Sequence, residues 1–287
     1  MLKNLKNIRV ILFFNGLRGL EVLKFLKKKK INIQYIFLSK KYLDRKIFTF
    51  LKKNSYKFTI INNLKSHKLL NIIKNKSDIN IICGFPYIFH EKIINLNKFG
   101  TLNCHAGKLP HYRGGSPLNW QMINGEKKIG LSVIKIDSGI DTGDIVNSKT
   151  FLNKNYYTIK DLHRISNKLF PNLVFRSIKD ILRNKNLLKQ AKKNVKYYRQ
   201  RSFKDSLIDL KNLDSVQLSF FVRALQDPYP NAFFYFRKYQ VNIIKIKQSK
   251  ISLKVGEIKF SNKKFFLGCK KGSVEVFKYK KKNLINI

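Results

Sequence analysis

Short apolar runs alternate with amphipathic stretches through the first 150 residues, and this alternation limits the fold more than any other feature of the chain. "RVILFF" (9–14) precedes a helical pattern over 17–30, "NIQYIFLS" (32–39) one over 41–54, and "KFTII" (57–61) one over 66–76. "NIIC" (80–83), "TLNCH" (101–105), "GLSVIKI" (130–136) and "DIV" (144–146) follow. Short strands that are apolar on both faces must be covered by helices on both sides. The pattern therefore predicts βαβ units and an α/β, doubly wound, mostly parallel sheet. In such sheets ligands sit beyond the carboxyl ends of the strands. Asn103 and His105 fall at one of these ends.

Further along, Thr158 opens a long helical pattern with Asp161 as its capping box. Ile159, Leu162, Ile165, Leu169 and Leu173 keep its apolar spacing. Pro171 is expected to kink or split that helix. The Lys- and Asn-rich residues 184–196 read as a linker. Beyond it, 214–225 reads as a short capped helix and 227–236 as a turn. "VNIIKI", "ISLKVGEIKF", "FFLGC" and "SVEVF" read as strands of a smaller, OB-like β domain. The expected division is a larger domain over 1–195 and a C-terminal one over 196–287.

Composition bounds the functional class without choosing it. The chain of 287 residues is 44% hydrophobic and 13% aromatic, which excludes a disordered basic tail. It carries 60 Lys+Arg against 16 Asp+Glu, a net charge of +44. Such a field attracts polyanions. The excess is mostly Lys scattered among Asn and Ile, which a genome-wide compositional bias explains as readily as a binding surface. Runs such as "KKKK" (27–30) and "KKK" (280–282) read as solvated faces. No apolar run approaches the roughly 20 residues that span a bilayer. Val10–Phe14 is shorter than the roughly 7–15 apolar residues of a signal peptide. Cys83, Cys104 and Cys269 are odd in number and widely spaced, so neither a disulfide framework nor a metal site is implied. A reduced, cytoplasmic protein is expected.

Chemistry-bearing residues concentrate in one region. Eight of the 14 glycines lie between Gly100 and Gly143, and Asp137, Asp141 and Asp144 crowd into eight positions. Side chains alternate along "TLNCH", so Asn103 and His105 share a face while Cys104 points the other way and reads as structural. Two polar groups ending a buried strand cost free energy unless they bond to something. A satisfied structural pair and a reacting pair both meet that demand, and a Gly-flanked Asp141 offers a charge partner for the imidazole. Gly16 and Gly19 after the first strand lack the first glycine and the ribose-binding acid of a dinucleotide fingerprint, so they read as a tight turn. Trp120 reads as core packing; His111, Asp137 and Asp144 read as loop or turn residues.

The segment "LNCHAGKLPHYRGGSPLNWQMINGEKKIGLSVIKIDSGIDTGDIV" (102–146) resembles the folate-dependent formyltransferase family. Its members share an N-x-H segment, a Leu-Pro-x-x-Arg-Gly turn and a D-x-G-x-D-x-G-D segment. Here Asp141 follows His105 by 36 positions, as in the family. "RALQDPYPNAFFYF" (223–236) with the strands after it is similar to the C-terminal domain of two-domain members. The resemblance implies the Rossmann-like formyltransferase fold and 10-formyltetrahydrofolate as co-substrate. It further implies transfer of a formyl group to a primary amine by Asn103, His105 and Asp141. It implies folate contacts at Gly84, Phe85 and Ile88 of "CGFPYIFH" (83–90) and around Asp137 and Gly139. Arg113 is the candidate contact for a substrate phosphate or carboxylate, with a structural loop arginine as the alternative.

Two acceptors divide the two-domain members. Methionyl-tRNA formyltransferases carry a basic insert after the second strand, whereas "IFLSKKYLDRKIFTFLKK" (36–53) passes straight into a helical pattern. "SPLNW" and "DPYPNAF" look closer to the enzymes that formylate nucleotide-linked amino sugars. A dTDP- or UDP-4-amino-4-deoxy sugar is therefore the favoured acceptor, and initiator methionyl-tRNA is the alternative. A non-catalytic, basic nucleic-acid-binding protein is the third reading, supported by charge and opposed by the intact Asn, His and Asp set. The sequence leaves a homodimer open.

Overall fold

β1 (Arg9–Phe14), β2 (Asn32–Ser39), β3 (Phe58–Ile61), β4 (Ile79–Cys83) and β5 (Thr101–His105) are parallel neighbours in the order β3-β2-β1-β4-β5. The computed structural model that shows this describes residues 5, 7–191, 193 and 195–283. α1 (Gly16–Lys28), α2 (Arg45–Lys53) and α3 (His67–Lys76) make the crossovers, and α4 (Glu91–Ile94) is a single turn before β5. β4 is buried at every residue and β1 at all but the first, as strands covered on both faces must be. Strand order reverses between β1 and β4, the kind of place where open α/β sheets bind ligands beyond the carboxyl ends of their strands.

The chain then runs through β6 (Arg113–Gly114) and α5 (Pro117–Ile123) to β7 (Lys128–Lys135) and β8 (Ile145–Leu152). β7 pairs antiparallel with β5, opposing Ile134 to Asn103 and Ser132 to His105, and β8 closes the seven-stranded sheet. α6 (Ile159–Leu182) follows as 24 continuous residues, so Pro171 does not split it. A proline inside a helix costs about 3 kcal/mol. Here Phe170, Leu173, Val174 and Ile178 are buried beside it and offset that loss, each contributing roughly 1.5–3 kcal/mol. The start of the expected linker is not free either. Leu188 exchanges both backbone hydrogen bonds with Ile145, at 2.9 and 3.0 Å, before the chain reaches β9 (Tyr197–Tyr198).

Two compact units result. One contains Met1–Gly114, Gly130–Phe151 and Arg164–Tyr197; the other contains Gly115–Ile129, Leu152–His163 and Tyr198–Ile287. In the second, α5 is joined to α7 (Ser215–Ala224) by a 2.9 Å bond from Asn119 Nδ2 to the Ala224 carbonyl. β10 (Ala232–Phe236), β11 (Tyr239–Ser249), β12 (Ile258–Ser261), β13 (Lys264–Gly268) and β14 (Ser273–Asn283) form an antiparallel sheet, ordered β10-β11-β14-β13-β12. Phe234, Phe265, Leu267, Val274 and Val276 supply its core with Leu218 and Val222 of α7. The expected α/β sheet with a smaller β domain is thus present. Its details differ at two places. The turn expected over 227–236 gives way to β10 from Ala232, because the first three residues of "AFFYF" are buried against the core. The run 251–260 is strand only from Ile258, because the chain turns at Gly256, whose φ is +79°.

Candidate active site

The end of β5 sets the geometry. His105 is buried, and its Nε2 lies 2.6 Å from the Tyr112 carbonyl oxygen. A carbonyl only accepts, so Nε2 carries a proton and donates it. Nδ1 faces Asp141 Oδ2 at 3.3 Å, and the carboxylate is 12% exposed. The same Oδ2 accepts the Gly114 N–H at 2.9 Å, while Oδ1 accepts from Asn103 Nδ2 at 3.4 Å. An amide, an imidazole and a carboxylate far apart in the chain thus meet at one strand end. Gly107 makes this possible: a Cβ there would overlap His105 Nε2 and stand 2.6 Å from the Tyr112 carbonyl.

Cys104 faces the other way, as strand alternation requires. Its Sγ lies 3.3 Å from Cys83 Sγ on the adjacent strand, and both thiols are buried. Burial, reinforced by Cys83, pushes the Cys104 thiol well above its ordinary range, so it stays protonated and unreactive.

Asp141 is carried on a loop of unusual build. Its φ is +53°, in the left-handed region that non-glycine residues avoid. Asp137 Oδ1 accepts from Gly139 N–H and from Thr142 Oγ1, so both residues serve the turn itself. Gly143 passes so close to the Lys135 carbonyl that a Cβ would collide with it. The loop is then held from outside by Gln190, whose Nε2 donates to the carbonyls of Asp141 (2.9 Å) and Gly143 (2.6 Å).

Arg113 is buried and has internal partners. It is 6% exposed, and its Nε and Nη2 donate to Gln190 Oε1 at 3.1 and 2.9 Å. Its Nη1 donates to the Tyr197 hydroxyl at 3.2 Å. These bonds are those of the structural loop arginine that stood as the alternative to a substrate contact. Gln190 lies in the Lys- and Asn-rich stretch whose composition is that of a linker.

The segment after β4 follows the carboxyl end of the strand next to β5. Gly84 is exposed at φ +63°, and Ile88 is 67% exposed, a large apolar side chain left uncovered. Phe85 is half-buried, edge-on to Phe13 at 5.6 Å and to Tyr87 at 5.3 Å. Trp120 is half-buried in the second unit, where its Nε1 donates to the Arg199 carbonyl at 3.0 Å. His111 is exposed, and the Asp144 carbonyl accepts from Lys135 N–H at 2.9 Å in the β7–β8 connection. Among the described residues no group of three or more His, Cys, Asp or Glu could hold a metal, and no helix is long and apolar enough to cross a membrane. A cavity of about 490 Å³, lined by Asn7, Ile8, Asp78, Lys98, Phe99, Leu182 and Asn184, includes none of the residues that meet at the end of β5.

Comparison with known proteins gives this geometry a family. A formyl transferase family model matches residues 15–176, more than half of the chain. The chain belongs to the formyl transferase family. A second model, for the formyl transferase C-terminal domain, matches residues 202–286. The bifunctional polymyxin resistance protein ArnA of Wigglesworthia glossinidia brevipalpis is 33% identical over 252 residues, covering 87% of this chain but 37% of ArnA. The methionyl-tRNA formyltransferase of Prochlorococcus marinus subsp. pastoris is 30% identical over 197 residues, covering 66% of this chain and 58% of that protein. This formyl transferase chain therefore spans well under two thirds of the length of these two relatives. The fold is shared with an N-formyltransferase from Helicobacter canadensis, solved with folinic acid and dTDP-3-aminofucose. The TM-score is 0.76 at 19% identity, covering 95% of this chain and all of that one.

Proposed function

We propose that the protein transfers a formyl group from 10-formyltetrahydrofolate to the amine of a nucleotide-linked amino sugar, with Asn103, His105 and Asp141 as the reacting groups. The observation that carries this reading is the convergence of the three side chains, Asp141 accepting from Asn103 and facing His105 Nδ1 at 3.3 Å.

The co-substrate supplies the formyl carbon. Asn103 commits one Nδ2–H to Asp141 and has a second to direct at the charge that develops on the formyl oxygen. Removing one such donor lowers rates about 10²–10³-fold in enzymes that use it. His105 Nε2–H is fixed on the Tyr112 carbonyl, so the gap between Nδ1 and Asp141 Oδ2 is where a proton can be taken up. The attacking amine supplies that proton, directly or through water, and the pair can return it to the departing nitrogen. The exposed Gly84 and Ile88 beside β5 suit a flat heteroaromatic ring, and the chemistry in this reading belongs to residues of the 1–195 segment.

The sugar acceptor is supported by two features. β2 ends at Ser39 and α2 begins at Arg45, leaving no room for a basic insert. The Helicobacter canadensis relative, which matches nearly the whole chain, was solved with an amino-sugar nucleotide. Incubation with 10-formyltetrahydrofolate and a panel of dTDP- and UDP-amino sugars should yield a product heavier by one formyl group. Modification of charged initiator methionyl-tRNA alone would move the acceptor to the alternative. His105→Ala should lower turnover by about 10²–10⁴-fold with the fold retained by circular dichroism; undiminished turnover would remove His105 from the reaction.

A further inference from the structure

We infer that Gln190 is a positioning residue that sets the reacting carboxylate, acting through the backbone of Asp141; this inference rests on the role proposed above for Asp141. The left-handed conformation of Asp141 is strained for a non-glycine residue and persists only where surrounding structure imposes it. Two contacts impose it from outside the loop. At the carboxylate end, the Gly114 N–H donates to Oδ2 at 2.9 Å. At the carbonyl end, Gln190 Nε2 bridges the oxygens of Asp141 and Gly143, the carbonyls on either side of Thr142.

The two ends are tied to each other. Gln190 Oε1 accepts twice from Arg113, the residue next to Gly114. Arg113 is itself fixed by its backbone N–H on the Lys196 carbonyl at 3.2 Å and by Tyr197. A closed circuit therefore runs from the Asp141 carboxylate through Gly114, Arg113 and Gln190 back to the Asp141 carbonyl. Only a side-chain amide completes it, because position 190 must donate to two carbonyls and accept two guanidinium N–H groups at once. Glutamate keeps the acceptor side and strengthens it by charge, but places an oxygen against two carbonyl oxygens. Methionine fills a similar volume and makes neither bond.

The chemistry is sensitive to such placement, since a displacement of about 1 Å can lower a rate 10²-fold. Gln190→Glu retains the Arg113 contact and is expected to fold with a melting temperature close to that of the parent. Its kcat should fall about 10–100-fold while KM for both substrates stays within about threefold. Imidazole ¹⁵N NMR gives a readout that needs no acceptor. In Gln190→Glu the His105 Nδ1 resonance should move, because Asp141 withdraws, while Nε2 on the Tyr112 carbonyl stays. Gln190→Met should move Nδ1 as well and lower the melting temperature. An unchanged Nδ1 resonance in a folded Gln190→Glu protein overturns the inference, as does a KM that rises in step with a fall in stability. If the parent protein transfers no formyl group to any acceptor, the functional reading fails by itself, and the NMR comparison still decides whether Gln190 sets Asp141.

Discussion

His105 has little freedom to turn. Its Nε2 is pinned at 2.6 Å to a backbone carbonyl, its Nδ1 faces a carboxylate, and Gly107 passes where any larger residue would strike the ring. Gly107→Ala tests whether that fixed imidazole matters. The added methyl must displace either the ring or the Tyr112 carbonyl, so formyl transfer should fall about 100-fold with modest loss of stability. Turnover and a thermal melt, measured together, separate the two effects; full activity would mean that the loop yields and the pin is dispensable. Asn103 and His105 were legible because polar side chains are costly at a buried strand end, and Asp141 because its spacing from His105 is distinctive. The orientation of Arg113 was not legible. A sequence displays a guanidinium but not whether an internal amide already fills its fork, and Gln190 reaches the loop across 49 positions of chain.

Among the elements, the strands showed themselves through apolar runs that only a two-faced sheet accommodates. What the sequence hid were the contacts that override local preference: the packing that carries α6 through Pro171, and the bridge that docks 188 on β8. One such contact stitches the start of β1 to β4. Arg9 N–H and its guanidinium both bond Asp78, at 2.8 and 2.7 Å, just before β4 begins. Arg9 holds the Asp78 carboxyl below its usual range, chiefly through the side-chain hydrogen bond. A depressed carboxylate binds its proton more tightly in the unfolded chain. Its stabilisation is therefore complete above the ordinary carboxylate range and is lost as pH falls through the folded value. The Arg9 side chain is 42% exposed, so solvent screening limits the pair to roughly 1 kcal/mol. Asp78→Asn should lose about that much in urea denaturation at pH 7, and the gap from the parent should narrow below about pH 4. A gap that widens on acidification would contradict the assignment.

For the whole molecule, the net charge of +44 sets the long-range field. Sixteen acidic residues can neutralise at most 16 of the 60 cationic charges, so the folded chain carries strong self-repulsion whatever its partners. Added salt shortens the Debye length from about 30 Å at 0.01 M to about 8 Å at 0.15 M and should raise the melting temperature across that range. The same titration separates a compositional charge from one that grips a polyanion. A sugar nucleotide offers about two phosphate charges, so log kcat/KM should fall against log salt with a slope no steeper than about −2. An RNA acceptor gripped through Z phosphates gives a slope approaching −0.7Z to −0.9Z. Six or more contacts would make that slope steeper than about −4. A rising melting temperature with a shallow kinetic slope assigns the lysines to composition. A steep slope would instead give them a nucleic-acid partner and reopen the tRNA acceptor, even with Asn103, His105 and Asp141 in their present places.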